Sequence, residues 1–496
     1  MINAETNTDW SRPVVIVSRR GADRLRAGHV WVYRSDIVEA KDALPGALVL
    51  VQELSDKSAR PFDKFRAGST GAGTNPGGTA SPKGGGRGPH STSLRAGPPH
   101  TRILGSALYS TASEIAVRMI SPRPVFDLEQ LLRERIRAAV AYRERFVENT
   151  NAYRVIFSEA DSLPGLIVDR YNDLLSVQIV TQAMDAEAVR RVVVSELREA
   201  LNPAAIVERV DPRVRRLEQL ADKESGVIYQ DARRGRPAPH NLLEEGPTET
   251  SLVPTEIDPA LDAPDPVRGR PGLHVQGEDE TKGHSPATEF QINGVRFVYE
   301  ALGGQKTGAF LDQRENYAVA AQYARGEALD VCCYQGGFAL HLAEKCSKVT
   351  GLDSSRPALE MAERNASLNS RNIEWIEANA FDLLRDYADA GRQYDCVVLD
   401  PPAFAKSRQA LQTALRGYKE LNLRALKMLR PGGILVTCSC SYHVSAADLL
   451  ETVTAAGVDS HRNLRLLESR GAAKDHPVVL GIPETAYLKC LIVLVN

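Results

Sequence analysis

Long apolar runs are missing from this chain of 496 residues. None approaches the roughly 20 residues that cross a bilayer, so helical membrane spans are excluded from the expected architecture. The opening Met1 to Asn7 lacks the basic start and apolar core of a secretion signal, and the expected location is the cytoplasm. Cysteine is scarce. The seven are Cys332, Cys333, Cys346, Cys396, Cys438, Cys440 and Cys490, an odd number crowded into the C-terminal third, without paired Cys-x-x-Cys motifs or matching histidines. That pattern excludes a disulfide framework and a zinc site, and no metal is expected. A strong charge of one sign is lacking too, since the formal net charge is -2. That figure averages unlike parts: residues 231–289 hold twelve acids against six Lys and Arg, so the remainder is +4 and an RNA partner is not excluded.

Two stretches have too little apolar surface to offset the entropy of ordering. Residues 57–102 are Gly, Ser, Thr, Pro and basic residues, and 231–289 are acidic and Pro-rich, so both are expected to be disordered insertions. What surrounds them divides into three. Residues 12–121 read as short strands and turns, as in a small β-barrel. There Arg19, Arg20, Arg24, Arg26 and Arg34 flank Trp31 and Tyr33, which reads equally as a nucleic-acid surface with stacking rings or as a core tryptophan with a solvated rim. Residues 122–205 read as a compact α+β unit, a helix over Asp127 to Val147, strands through Leu166 to Asp169 and Leu174 to Val180, then a helix over Ala186 to Leu201. Asp161 and Asp169 sit beside its turns, where carboxylates usually close the turn.

The third region, 206–496, carries the organising stretch. Phe290 to Tyr299 forms a hairpin on Asn293-Gly294, and the glycine-rich Gly303 to Arg314 reads as a connector or as a loop closing over a ligand. From Ala328 the pattern alternates strand and helix, with turns at Gly336-Gly337 and Pro431-Gly432-Gly433 and last strands near Val478 to Leu480 and Leu488 to Val495. This is an α/β, doubly wound sheet of Rossmann-like type, with ligands expected at the carboxyl ends of its strands. Asp353, just past the second strand, can accept hydrogen bonds from a ribose, and the glycines would allow close backbone approach. Asp330 stands in the turn where a pyrophosphate would be repelled but an ammonium tolerated, which points to S-adenosylmethionine rather than NAD.

Asp400-Pro401-Pro402-x-Phe404 ends a buried strand with a stiff turn and a ring able to stack on a base, or it is a strand that simply stops at proline. Cys440 adds a reason to choose. Carbon 5 of cytosine is a poor nucleophile until a thiolate adds at carbon 6, so a thiol beside an acid-tipped strand suits that reaction. The competing readings of the same residues are a purine nitrogen methyltransferase, in which Cys440 is only a small buried residue, and an RNA-binding protein with a silent methyltransferase scaffold.

Taken together, Gly28-His-Val-Trp-Val-Tyr33, Leu163-Pro-Gly-Leu-Ile-Val-Asp-Arg-Tyr171, Gln305-Lys-Thr-Gly-Ala-Phe-Leu-Asp-Gln-Arg-Glu-Asn316, Asp330-Val-Cys-Cys-Tyr-Gln-Gly-Gly-Phe338, Asp400-Pro-Pro-Ala-Phe404 and Ser439-Cys-Ser441 make the chain resemble the bacterial 23S ribosomal RNA cytosine-5 methyltransferases of the RlmI type. The resemblance covers nearly the whole chain outside the two insertions. It implies an N-terminal PUA domain that binds RNA, a central α+β domain and a C-terminal methyltransferase domain. It also implies that Asp330, Gly336 and Asp353 bind S-adenosylmethionine, that Asn379 lies near its adenine, that Asp400 meets the target base and that Cys440 is the nucleophile. Cys333, Tyr334, Gly337, Phe338, Ser354, Ala380, Gln313 and Arg314 complete the expected cofactor site, and Pro401, Pro402 and Phe404 the substrate site. The implied partner is 23S ribosomal RNA, with a homodimer left open. One departure stands out: many RNA cytosine-5 methyltransferases carry a second cysteine after the proline of the Asp400 motif, where this chain has Pro402-Ala403.

Overall fold

The computed structural model of the chain describes residues 12–54, 101–233, 286–303, 308–405 and 407–496, which form two compact units. The insertions expected at 57–102 and 231–289 lie mostly outside the described residues, as does 304–307 of the glycine-rich loop. Their borders are narrower than expected. Thr101 and Arg102 begin the strand Thr101–Tyr109, paired with Leu48–Leu54, and Ala287 to Glu289 begin the strand Ala287–Ile292, paired with Val295–Glu300. Composition misses these residues because backbone pairing orders them, whatever their side chains.

The first unit spans the chain to Leu131, with 181–186 and 217–220. Its six strands run in the order Trp31–Tyr33, Ile115–Ser121, Thr101–Tyr109, Leu48–Leu54, Val14–Val17, Ile37–Lys41. Alternating residues such as Val15, Val17, Val49 and Val51 build its core. A short helix, Arg19–Arg26, is absent from the sequence reading. It starts at Ser18, whose hydroxyl accepts the Gly21 N–H, and it sets Arg20 and Arg24 one turn apart. Both reach the buried Asp36, Arg20 Nε at 2.6 Å and Arg24 at 3.3 Å. Burial alone would raise the pKa of Asp36, but bonds from Arg20 and Ser18 prevail and hold it below its ordinary value. Arg34 donates to the carbonyls of Ser110 and Ser113, and Arg26 pairs with Asp23 and Glu53. These arginines brace the fold, and Trp31 is half-buried with its ring edge-on to His29.

In the second unit a five-stranded sheet runs in the order Gly226–Gln230, Ala205–Glu208, Leu174–Ile179, Leu166–Tyr171, Ala152–Phe157. It therefore extends past the boundary expected at 205. Ala205–Glu208 is buried throughout, and its backbone groups find partners on both sides only with Gly226–Gln230 in place. The hairpin Ala287–Ile292 and Val295–Glu300 turns on Asn293-Gly294, both at positive φ.

The seven-stranded sheet that follows runs Glu374–Glu377, Cys346–Asp353, Gly326–Val331, Tyr394–Leu399, Leu429–Ser439, Lys489–Val495, Leu464–Arg470. Five strands are parallel, and the last two run antiparallel to their neighbours. Both faces are covered. Leu329, Val331, Val397 and Leu399 belong to a core with Leu421 and Ala425 of the helix Leu411–Met428, while Ala328, Cys396, Val398 and Val436 belong to a core with Phe297 and Phe338. Two sequence expectations need correction. Pro431-Gly432-Gly433 is not a turn ahead of a strand but a bulge inside Leu429–Ser439, because Gly432 takes φ +81 and absorbs the extra residues. Val478 to Leu480 is no strand: Val479 makes one bridge to Ile482, and Leu480 projects into solvent.

Candidate active site

The carboxyl ends of the parallel strands surround a cavity of about 760 Å³, within the roughly 300–1,000 Å³ usual for small-molecule sites. One end is built on the turn after Gly326–Val331. Cys332, Tyr334 and Gly336 all take positive φ there, at 63°, 50° and 84°. Holding two non-glycine residues in that region costs of order 1–3 kcal/mol each, so the surroundings must fix them. They do. Cys333 N–H donates to the Leu352 carbonyl at 2.9 Å, and Tyr334 N–H to Asp353 at 2.9 Å. Asp353 also accepts the Ser355 N–H at 2.9 Å, which places a carboxylate at the strand tip against the cavity.

The glycines of this turn do something the sequence reading did not anticipate. A Cβ on Gly336 would meet the Trp375 ring, and one on Gly337 the Tyr317 ring. They make room for the protein's own aromatics. Asn379 lines the cavity while its side-chain oxygen caps the helix Ala380–Asp389, accepting the Phe381 N–H at 2.9 Å and leaving its NH2 group to donate elsewhere. Asp353, Asn379 and the apolar Phe338, Leu352 and Phe310 are a donor and acceptor set suited to a nucleoside, so the residues present fit S-adenosylmethionine.

At the other end stand Asp400 and Cys440. Asp400 follows Tyr394–Leu399, and burial, aided by the charge of Asp312 and opposed by a bond from Gln313, pushes its pKa up to about 7. Asp312 itself accepts the Tyr487 hydroxyl at 2.6 Å. Cys440 follows Leu429–Ser439 and is oriented by its neighbours. Ser439 and Ser441 both bond the Tyr418 hydroxyl, at 2.9 and 3.0 Å, and Cys440 between them lines the cavity. Ser441 also accepts the Ala405 N–H at 3.2 Å, which ties the Asp400-Pro-Pro loop to the Cys440 loop. Phe404 rests on Tyr418, ring centres 4.8 Å apart. The other cysteines of the cavity, Cys332 and Cys333, are kept as thiols, since burial and neighbouring aspartates push both pKa values up.

Of the residues singled out from sequence, the cavity gathers Gln313, Cys333, Tyr334, Gly337, Phe338, Asp353, Ser354, Asn379, Ala380, Asp400, Pro401, Pro402, Phe404 and Cys440. Arg314, Asp330 and Gly336 do not reach it. Arg314 is buried and turns to Asp475 at 3.2 Å and to the Glu148 carbonyl at 3.3 Å. Asp330 lies beneath the helix Gly337–Leu342, accepting the Ala339 N–H at 2.8 Å, and burial raises its pKa to about 8, with Asp400 and Asp353 adding to the effect. Sequence reasoning missed Arg154, Asp312, His476 and Tyr487 on the wall. It also missed Lys489, which is buried and donates to the carbonyls of Ser441 and Tyr487, both at 2.7 Å. A lysine inside the apolar run Leu488 to Val495 was the available signal.

Among the described residues no helix is long and apolar enough to cross a membrane, and no cluster of three or more His, Cys, Asp or Glu could hold a metal ion. Residues 278–491 match the S-adenosylmethionine-dependent methyltransferase family, and residues 15–57 a PUA-like domain. A proposed SAM-dependent methyltransferase from Streptococcus mutans shares the fold, with a TM-score of 0.65 at 15% identity over 97% of this chain and 99% of that one. The ribosomal RNA large subunit methyltransferase I of Tolumonas auensis is 33% identical over 399 residues, 79% of this chain and 87% of its own length. That of Aeromonas hydrophila matches to the same extent, 33% over 399 residues, 79% of this chain and 87% of its own. With this likeness running through both units, the chain belongs to the ribosomal RNA large subunit methyltransferase I family of S-adenosylmethionine-dependent enzymes.

Proposed function

We propose that the protein methylates carbon 5 of a cytosine in 23S ribosomal RNA, with Cys440 as the nucleophile at carbon 6, and that it does so in the cytoplasm. The observation that carries this reading is the meeting of Cys440 and Asp400 in one cavity, their loops joined through Ser441 and Ala405. S-adenosylmethionine, when bound, supplies an electrophilic methyl group. Asp353 and Asn379 would hold its nucleoside, and the turn at Cys333 to Tyr334 its other end.

The chain's own residues perform the rest. The Cys440 thiolate forms a bond to carbon 6, and the carbon 5–carbon 6 electron pair becomes available at carbon 5. Asp400, with its pKa pushed up to about 7, carries a proton near neutrality and can donate it as a hydrogen bond to ring nitrogen 3, drawing electron density from carbon 6. Once carbon 5 carries the methyl group, loss of its proton to water restores the double bond and expels the Cys440 sulfur as thiolate. The base has to leave the RNA stack for both ring carbons to be reached. Cys440→Ala should abolish methylation, and nucleoside analysis of RNA treated with the wild-type enzyme should yield 5-methylcytidine. An active Cys440→Ala enzyme, or a methyl group on a purine nitrogen, would overturn the reading.

A further inference from the structure

We propose that Lys489 is a positioning residue for Cys440, its buried ammonium fixing the strand end that carries the sulfur and favouring the thiolate. The proposal rests on Cys440 being the nucleophile. Lys489 sits in the antiparallel strand beside Leu429–Ser439, directly opposite Ser439. The residue is 6% exposed, and two of its three N–H donors are committed to the Ser441 and Tyr487 carbonyls. Ser441 follows Cys440 in the chain, and Tyr487 lines the same cavity as Cys440. Lys489 therefore ties the residue after Cys440 to Tyr487 of the same cavity wall.

The charges around it explain why a lysine is there. Burial lowers the pKa of Lys489 to about 8, and the charges of Cys440 and Asp448 act in the opposite sense. An ammonium that the sulfur's charge stabilises stabilises that charge in return, because the interaction is mutual. Tyr418 faces the pair from the helix Leu411–Met428, its hydroxyl bonded to Ser439 and Ser441. Asp448 faces Lys489 from the helix Ala446–Asp459, where bonds from Ser445 hold its pKa down and keep it anionic. Asp400 lines the same cavity from the end of Tyr394–Leu399. Arg154 and His476 also line this cavity, but of these cationic or titratable groups it is Lys489 that bonds the residue following Cys440. A methionine of similar length would fill the volume but leave the Ser441 and Tyr487 carbonyls without the donor that Lys489 supplies and remove its charge.

The test reads the sulfur directly. Full-length enzyme is treated with iodoacetamide across a pH series, and peptide mass spectrometry follows the adduct on Cys440. Lys489→Met should slow alkylation at neutral pH about tenfold, the equivalent of one pH unit, and move the midpoint of the rate profile upward. Lys489→Arg should restore most of the lost rate. Lys489→Gln, which removes the charge but keeps an N–H donor for the carbonyls, should slow alkylation in the same direction. It keeps the test available if Lys489→Met does not fold. An unchanged alkylation profile in folded Lys489→Met overturns the proposal while leaving Cys440 as nucleophile. A shifted profile combined with an active Cys440→Ala enzyme would keep the pairing and discard the nucleophile.

Discussion

Asp400 shows at the scale of one residue how a reaction and the stability of the fold pull against each other. Its pKa is raised from 3.8 to about 7, chiefly by burial and then by Asp312. Between those two values the folded state keeps a proton that the unfolded state releases, so stability falls as pH rises through that window. Asp400→Asn removes the ionisation. We expect this variant to melt at a higher temperature than wild type at pH 8, by about 2 kcal/mol after discounting for the open side of the cavity, and to match it near pH 3.5. Its methyl transfer should drop by 100-fold or more if the carboxyl serves as the acid. Thermal melts at both pH values and a methylation assay check the two halves separately. Ser441 gives a second case. Ser441→Ala removes the bonds to Tyr418 and Ala405 that link the Cys440 and Asp400 loops, and kcat should fall about tenfold because a small misplacement of reacting groups is costly.

The glycine turn makes the corresponding point for an element. Gly336→Ala would introduce a Cβ at φ +84 against the Trp375 ring, and we expect a loss of about 2 kcal/mol in denaturant unfolding. The glycine spacing marked this turn in the sequence, and the strand that precedes it was equally legible as an apolar run. What the glycines face was not, since Trp375 and Tyr317 lie 39 and 19 or 20 residues away and meet the turn only in three dimensions. Arg314 shows the same limit. It follows Gln313 in sequence and was assigned to the cofactor with it, yet successive residues entering a helix point about 100° apart. Gln313 faces the cavity and Arg314 faces Asp475. Asp330 shares a face with Ala328 through the two-residue period of a strand, which carries it under a helix rather than into the site. That Asp400 and Cys440 share one cavity was readable because each ends a buried strand of one parallel sheet. The wall of Arg154, Asp312, His476 and Tyr487 was not, because it is drawn from segments with no common pattern.

Those segments are joined across the second unit by one buried carboxylate, and its loss should be felt throughout. Asp475 is 0% exposed. It accepts the Arg154 N–H at 2.8 Å and Arg314 at 3.2 Å, and its backbone carbonyl accepts Arg143 at 2.8 Å. Four stretches meet there: the helix Leu128–Phe146, the strand Ala152–Phe157 that follows it, and, far away in sequence, the start of Arg314–Tyr323 and the loop before residue 476. Burial would raise the pKa of Asp475, but His476, Arg314 and the Arg154 N–H prevail and depress it. A depressed carboxyl contributes stability that is complete above its unfolded value and is lost as pH falls toward the folded one. Asp475→Asn keeps the shape but removes the nearer charge partner of the buried Arg314, leaving it Glu315 at 3.7 Å, so unfolding free energy at pH 7 should fall by about 3 kcal/mol. The deficit should shrink in acid, where the wild-type carboxylate also takes up its proton. Because Arg154, Gln313 and His476 line the cavity from the same segments, methyl transfer should weaken in the variant even at temperatures where it remains folded. Urea titrations at pH 7 and pH 3, with methylation assayed well below the melting temperature, check both consequences. A variant as stable as wild type at pH 7 would show that the four stretches hold together without this charge.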